Sequence, residues 1–151
     1  MQPSTDRIAK LQQALESAGV KAAILESGPA MTFLTGVRWG RSERTFAVVV
    51  PAKGTIAYIC PGFEELRARE LIGAGADVLV WQEDECPFQK IVQALHDRKV
   101  DAGPVAIDDT TRFFVFDGVR KANPRLVLSS AKQVFTTAGV PTQLDTRRRQ
   151  Q

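Results

Sequence analysis

Apolar residues recur along this chain with two alternating periods, and the alternation predicts strands and helices in turn. Ile8, Leu11 and Leu15 fall on one stripe of a first helix that Ser4 can cap and Gly19 ends. Ala22 to Leu25 reads as a short buried strand, and Gly28-Pro29 opens a turn or short helix through Phe33 and Leu34 that closes at Gly36. After the polar stretch Arg38 to Arg44, the β-branched run Phe46 to Val50 ends at Pro51, and Lys53-Gly54 turns into Thr55 to Cys60. Two apolar runs around a tight turn predict an antiparallel hairpin. Pro61-Gly62 opens a helix carrying Phe63, Leu66 and Leu71, which stops at Gly73-Ala74-Gly75 before a strand from Asp77 to Trp81. The acidic loop Glu83-Asp84-Glu85 precedes a helix with Phe88, Ile91, Val92 and Leu95 on one face. Val105 to Ile107 is a strand, Asp108 to Thr111 caps a helix holding Phe113, Phe114 and Val119, and Asn123-Pro124 stops it. Leu126 to Leu128 is the last strand, and Lys132 to Thr137 is a short closing helix.

One phrase occurs twice: helix end, glycine turn, strand, at Ser17 to Glu26 and at Gly73 to Gln82. The spacing is not that of a solenoid, and strands alternating with helices predict an α/β fold. The hairpin makes its sheet mixed. Pro141 to Gln151 has no apolar period and reads as a disordered tail, leaving 1–140 as one domain.

Composition changes this picture little. With 151 residues, 44% hydrophobic and 25% charged, the chain is of ordinary globular size and make-up. The net charge of +3 comes mostly from Arg147, Arg148 and Arg149 against Asp145, which leaves the body near +1. No basic stripe follows an element, so the expectation is no nucleic-acid partner. The N-terminus lacks the apolar core of a signal peptide, and the longest apolar runs are far too short to span a bilayer. These features predict a soluble, cytoplasmic chain with no membrane partner. Cys60 and Cys86 are too few and too far apart for a disulfide framework or zinc pattern, and both read as free thiols.

Five features invite a chemical reading. His96 is the single histidine and reads as a surface or boundary residue, so neither a Ser-His-Asp set nor a Cys-His pair is expected. Asp108-Asp109 follows a strand, where a carboxylate pair binds magnesium or an aspartate simply caps a helix; the cap is preferred. Glu83-Asp84-Glu85 reads as a solvated loop complementing a helix dipole. Gly73-Ala74-Gly75 closes a helix and opens a strand, the reverse of a dinucleotide loop. Phe113, Phe114 and Phe116 are read first as core packing and second as an interface.

Arg7 to Val140 resembles the amino-terminal domain of the creatinase, prolidase and aminopeptidase P family. The likeness rests on ordered phrases: Arg7-Ile8-Ala9-Lys10-Leu11, Ala18-Gly19-Val20-Lys21-Ala22-Ala23-Ile24-Leu25, Pro29 to Gly36 (similar to the family's N-x-x-Y-L-T-G turn), and the hairpin Phe46 to Cys60. The resemblance implies a three-layer-like α/β domain of ribonuclease H-like kind, with a mixed six-stranded sheet flanked by helices. It implies a pita-bread catalytic domain that would begin after Val140 and that these 151 residues do not contain. There a divalent metal pair (manganese, cobalt or zinc) would activate hydroxide against an Xaa-Pro bond. No cofactor is expected in this chain, which on its own is expected to be inactive.

By the same resemblance, the loop Arg38 to Arg44 would reach the partner's active site in a homodimer or in a pairing with a full-length relative. Arg38, Trp39, Arg41 and Arg44 would then contact a proline-containing peptide or the neighbouring subunit. Arginine forks suit carboxylates, and Trp39 suits stacking on a proline ring or a cation. The plainer alternative is a solvated loop holding an internal pair between Glu43 and an arginine. The leading expectation is a non-catalytic domain of an Xaa-Pro dipeptidase or aminopeptidase P-like metallohydrolase. The alternatives are a free-standing interaction or regulatory protein of that descent, a creatinase-like amidinohydrolase fragment, and an enzyme using Asp108-Asp109.

Overall fold

The computed structural model describes Thr5–Gly73 and Gly75–Pro141. The expected Ser4 cap and the segment 142–151 lie outside the described residues. The elements run α1 (Thr5–Ser17), β1 (Ala22–Glu26), α2 (Pro29–Thr35), β2 (Ala47–Pro51), β3 (Ala57–Pro61), a 3-10 turn (Gly62–Glu64) leading into α3 (Glu65–Ile72), β4 (Asp77–Trp81), α4 (Pro87–Asp97), β5 (Gly103–Ile107), α5 (Phe113–Ala122), β6 (Leu126–Ser130) and α6 (Lys132–Ala138). The six strands form one sheet in the order β4-β3-β2-β1-β5-β6. β2 runs antiparallel to both neighbours, and the other pairings are parallel. The mixed six-stranded α/β expectation therefore holds, hairpin included.

The pleat explains the three layers. Alternate residues of a strand face opposite sides, so a strand covered on both faces must be apolar throughout. All five residues of β1, β2 and β3 are buried, as their near-continuous apolar runs require. Ala23, Leu25, Val48, Val50 and Tyr58 pack with α1, α2, α3 and α6 through Leu11, Leu15, Met31, Leu34, Ile72, Val134 and Phe135. Ala22, Ile24, Val49, Ile59 and Ile107 pack with α4 and α5 through Ile91, Leu95, Val115 and Val119. The edge strands β4 and β6 are only partly covered, and their burial is correspondingly broken.

Two sequence expectations change at α5. Asp108 to Thr111 does not cap the helix: the residue preceding its first turn is Arg112, with no side-chain cap. Asp108 instead closes a turn, accepting the Thr110 N–H at 3.1 Å. The aromatic cluster is not core packing at its first two positions either. Phe113 is 71% and Phe114 42% exposed, whereas Val115 and Val119 are buried and Phe116 packs partly against the core. Residues four apart share a helix face and adjacent ones do not, so the Val115–Val119 register turns Phe113 and Phe114 outward.

Candidate functional site

α2 ends because Gly36 adopts φ 79, a left-handed conformation that glycine takes without Cβ strain. From Val37 to Phe46 the chain has no regular structure and crosses to β2, so side-chain anchors must hold it. Its entry is tied by the Val37 N–H donating to Thr35 Oγ1 at 3.1 Å and by Thr32 Oγ1 donating to the Val37 carbonyl at 3.0 Å. Its exit is tied by Trp81 Nε1 donating to the buried Thr45 carbonyl at 3.0 Å.

The five expected site residues diverge in what they touch. Trp39 is 8% exposed and stacks on Phe46, with ring centroids 4.4 Å apart and planes 15° apart. The Arg67 guanidinium sits 4.7 Å from the same centroid. Trp39 is therefore packed mainly against its own chain, although its rim still lines the cleft beside Arg38. Arg44 donates to Glu83 Oε1 at 2.8 Å, lies 3.6 Å from Glu43 and sits over the Phe63 ring at 4.5 Å. The internal pair considered for Glu43 is thus present, although Glu83 is the nearer carboxylate. The Glu43 side chain is 87% exposed. Arg38 is exposed and, with Pro29, Phe33, Trp39, Gly40 and Pro141, lines a cleft of about 650 Å³. Arg41 turns inward, toward the end of β1.

That inward contact exposes a residue the sequence reading missed. Glu26, the last residue of β1, has a fully buried side chain. Its carboxylate accepts the Arg112 backbone N–H at 3.1 Å and the Arg112 Nε–H at 2.7 Å, with a further short contact from Arg112 Nη2. Arg41 Nη1 lies 3.7 Å from its other oxygen. Its only signal in the sequence is an acid closing an otherwise apolar strand, Ala-Ala-Ile-Leu-Glu. A buried carboxylate needs a paired charge, which predicts arginines nearby without saying which.

The other candidates separate. Asp108 is buried, and Thr110 donates to both its oxygens, from the backbone N–H and from Oγ1, at 3.1 Å each. Burial pushes its carboxyl above the ordinary value, against the pull of Thr110 and Arg41. Asp109 instead accepts the Ser130 hydroxyl, so each carboxylate has its own hydrogen-bond partner within the chain. Glu85 accepts the Gln82 N–H at 2.8 Å and pairs with Lys90 at 3.4 Å. His96 is exposed, with Nδ1 2.6 Å from Asp101, which raises its pKa. Cys86 is exposed and Cys60 buried, both free, and burial pushes the Cys60 thiol up to about 12. A metal pair does not fit the described residues: no three His, Cys, Asp or Glu side chains among them are grouped to hold one. No helix among them is long and apolar enough to cross a membrane.

With this geometry in view, the comparisons are specific. Residues 7–138 match the model of the Creatinase/Prolidase N-terminal domain. An uncharacterized peptidase of Schizosaccharomyces pombe is 32% identical over 89% of this chain, which spans 30% of that protein. Dipeptidase PepE of Mycobacterium ulcerans superposes with a TM-score of 0.76 at 25% identity, over 86% of this chain and 34% of its own. The Creatinase/Prolidase N-terminal domain of an X-Pro dipeptidase from Streptococcus pyogenes shares the fold, with a TM-score of 0.74 at 19% identity over 88% of this chain and 98% of that one. The chain thus spans about a third of the length of the two longer relatives and nearly all of the excised domain. On the extent of the family match and the mixed six-stranded sheet, the chain belongs to the Creatinase/Prolidase N-terminal domain family.

Proposed function

We propose that this chain is the non-catalytic, amino-terminal part of an Xaa-Pro peptidase system, which pairs with a catalytic unit and presents the loop 37–46 to it. The observation that carries this reading is the family match over 7–138 in a chain that spans only 30% of its peptidase relative. The chemistry of bond cleavage would reside in the remaining two-thirds of such a protein, along with any manganese, cobalt or zinc pair. This domain would contribute dimerisation and one wall of the substrate entrance. The shape of the loop supports the assignment: its ends are pinned into the fold, while Arg38 and Glu43 stand in solvent as a cation and an anion available to a partner or peptide. A cytoplasmic setting belongs to the same proposal.

The test is to assay the purified chain for Xaa-Pro dipeptide hydrolysis with added manganese, alone and mixed with a full-length relative, following association by analytical ultracentrifugation. The expected result is no turnover alone and association with the relative. Metal-dependent turnover by the chain alone overturns the non-catalytic assignment. A chain that stays monomeric and ignores the relative overturns the pairing.

A further inference from the structure

We infer that Arg41 is a latch: a positioning residue that fastens the middle of the 37–46 loop to the ends of β1 and β5, and so sets which loop side chains face outward. The inference deepens the proposed role of the loop and rests on it only for its consequence, since the contacts lie within the chain.

Arg41 spends its guanidinium on the fold. Its Nε donates to the Ser27 carbonyl at 2.6 Å, Nη1 to the Thr110 carbonyl at 2.6 Å and Nη2 to Thr110 Oγ1 at 2.9 Å. The same group lies 3.7 Å from buried Glu26. Three donor atoms in one plane meet three acceptors on two segments, a geometry that a planar fork supplies and an ammonium does not. Glu26 is the electrostatic reason for the arrangement. A carboxylate with no exposed surface must be compensated, and it draws one arginine from the start of α5 and a second from the loop.

The rest of the loop shows why the latch matters. Trp39 and Thr45 hold its flanks through buried contacts. Arg44 is held mainly by Glu83, a pair whose side chains are 35% and 67% exposed and which contributes little in water. Among the described residues between Trp39 and Arg44, only Arg41 donates hydrogen bonds to a distant part of the chain, one to the Ser27 carbonyl in a part-buried setting and two to Thr110 in a more exposed one. With Arg41 turned in, Arg38 and Glu43 are left as the outward charges. The recognition role expected for Arg41 thereby passes to its neighbours.

Limited trypsin digestion of the full chain reads this directly. Cleavage after Arg38 and Arg44 reports opening of the loop, and cleavage after Lys90, inside α4, reports global opening. Cleavage rates follow the population of the open form when reclosing is fast. Arg41→Ala is expected to raise loop cleavage by roughly tenfold relative to Lys90, a ratio that removes any accompanying loss of global stability. Arg41→Lys is expected to restore only part of the protection, and Thr110→Val to raise loop cleavage to a lesser degree. Arg38→Ala is expected to leave cleavage after Arg44 unchanged. If Arg41→Ala does not fold, the Lys and Thr110→Val variants carry the comparison. Loop cleavage that does not rise relative to Lys90, or full protection by lysine, overturns the latch. The readout needs no partner, so an ordered loop that binds nothing would overturn the proposed function while leaving the latch intact.

Discussion

At the scale of single residues, burial decides what charge can do. Glu26 ends β1 and Asp108 follows the neighbouring β5, and both are enclosed, yet Glu26 meets two guanidiniums while Asp108 meets mainly neutral donors from Thr110. Desolvation is therefore the leading influence on Asp108 and raises its pKa. The folded state then holds the proton more tightly than the unfolded chain. Stability consequently falls as pH rises from the ordinary carboxylate value of 3.8 through the raised folded value, and the full cost is present above it. Asp108→Asn keeps the shape and removes the charge. Urea unfolding at a series of pH values is expected to show the difference moving in favour of asparagine as pH rises through that window. Exposed Glu85 and half-buried Asp117, whose pKa values are lowered, act in the opposite direction, but they are common to both proteins and cancel. A difference that stays flat with pH would contradict the assignment. Little of this was legible in the sequence. Asp108-Asp109 drew notice as a pair, but a sequence gives no burial, and only burial distinguishes the two. His96 is legible as a surface residue because it falls off the apolar stripe of α4, beside buried Leu95.

At the scale of elements, existence was easier to read than facing. Short apolar runs close to glycine and proline located β1 to β3, Gly28-Pro29 located the start of α2, and the apolar face Phe88, Ile91, Val92 and Leu95 located α4. The register of α5 was not readable in the same way. Its sequence Phe-Phe-Val-Phe offers apolar side chains in all directions over one turn, and only packing against β5 and α4 selects Val115 and Val119. Gly118 makes that selection sensitive. A Cβ placed there would lie 2.3 Å from the Phe88 ring of α4, so the two helices close on each other through the missing side chain. In an open helix, Gly→Ala gains about 1 kcal/mol of helix propensity. Here the same change forces an aromatic ring to move, and overpacking costs about 1–3 kcal/mol. The second effect is the larger. Gly118→Ala is expected to lower stability by about 1 kcal/mol net, measured by urea titration. A stabilised variant would mean that Phe88 yields freely.

At the scale of the whole molecule, the sheet is a shared wall between two cores, and this decides whether the layers can melt separately. The same strand supplies both: Ala23 and Leu25 of β1 face one core, Ala22 and Ile24 the other. Neither helical layer can leave without exposing alternate residues of strands that the other layer still needs covered. Cooperative unfolding follows from that geometry, as for most domains of this size. The chain also provides its own reporters. Trp39 belongs to the core built with α1, α2, α3 and α6, and Trp81 to the core built with α4 and α5. In the single-tryptophan variants Trp81→Phe and Trp39→Phe, fluorescence then follows one core at a time. Within each variant, the urea midpoint by fluorescence is expected to coincide with the midpoint by far-ultraviolet circular dichroism. The midpoints of the two variants themselves differ, since Trp81→Phe also removes the Nε1 donor to the Thr45 carbonyl. A fluorescence transition that precedes the dichroism transition in one variant would show that layer detaching from an intact sheet. That result would contradict the reading of β1 to β3 as strands that are stable only when covered on both faces.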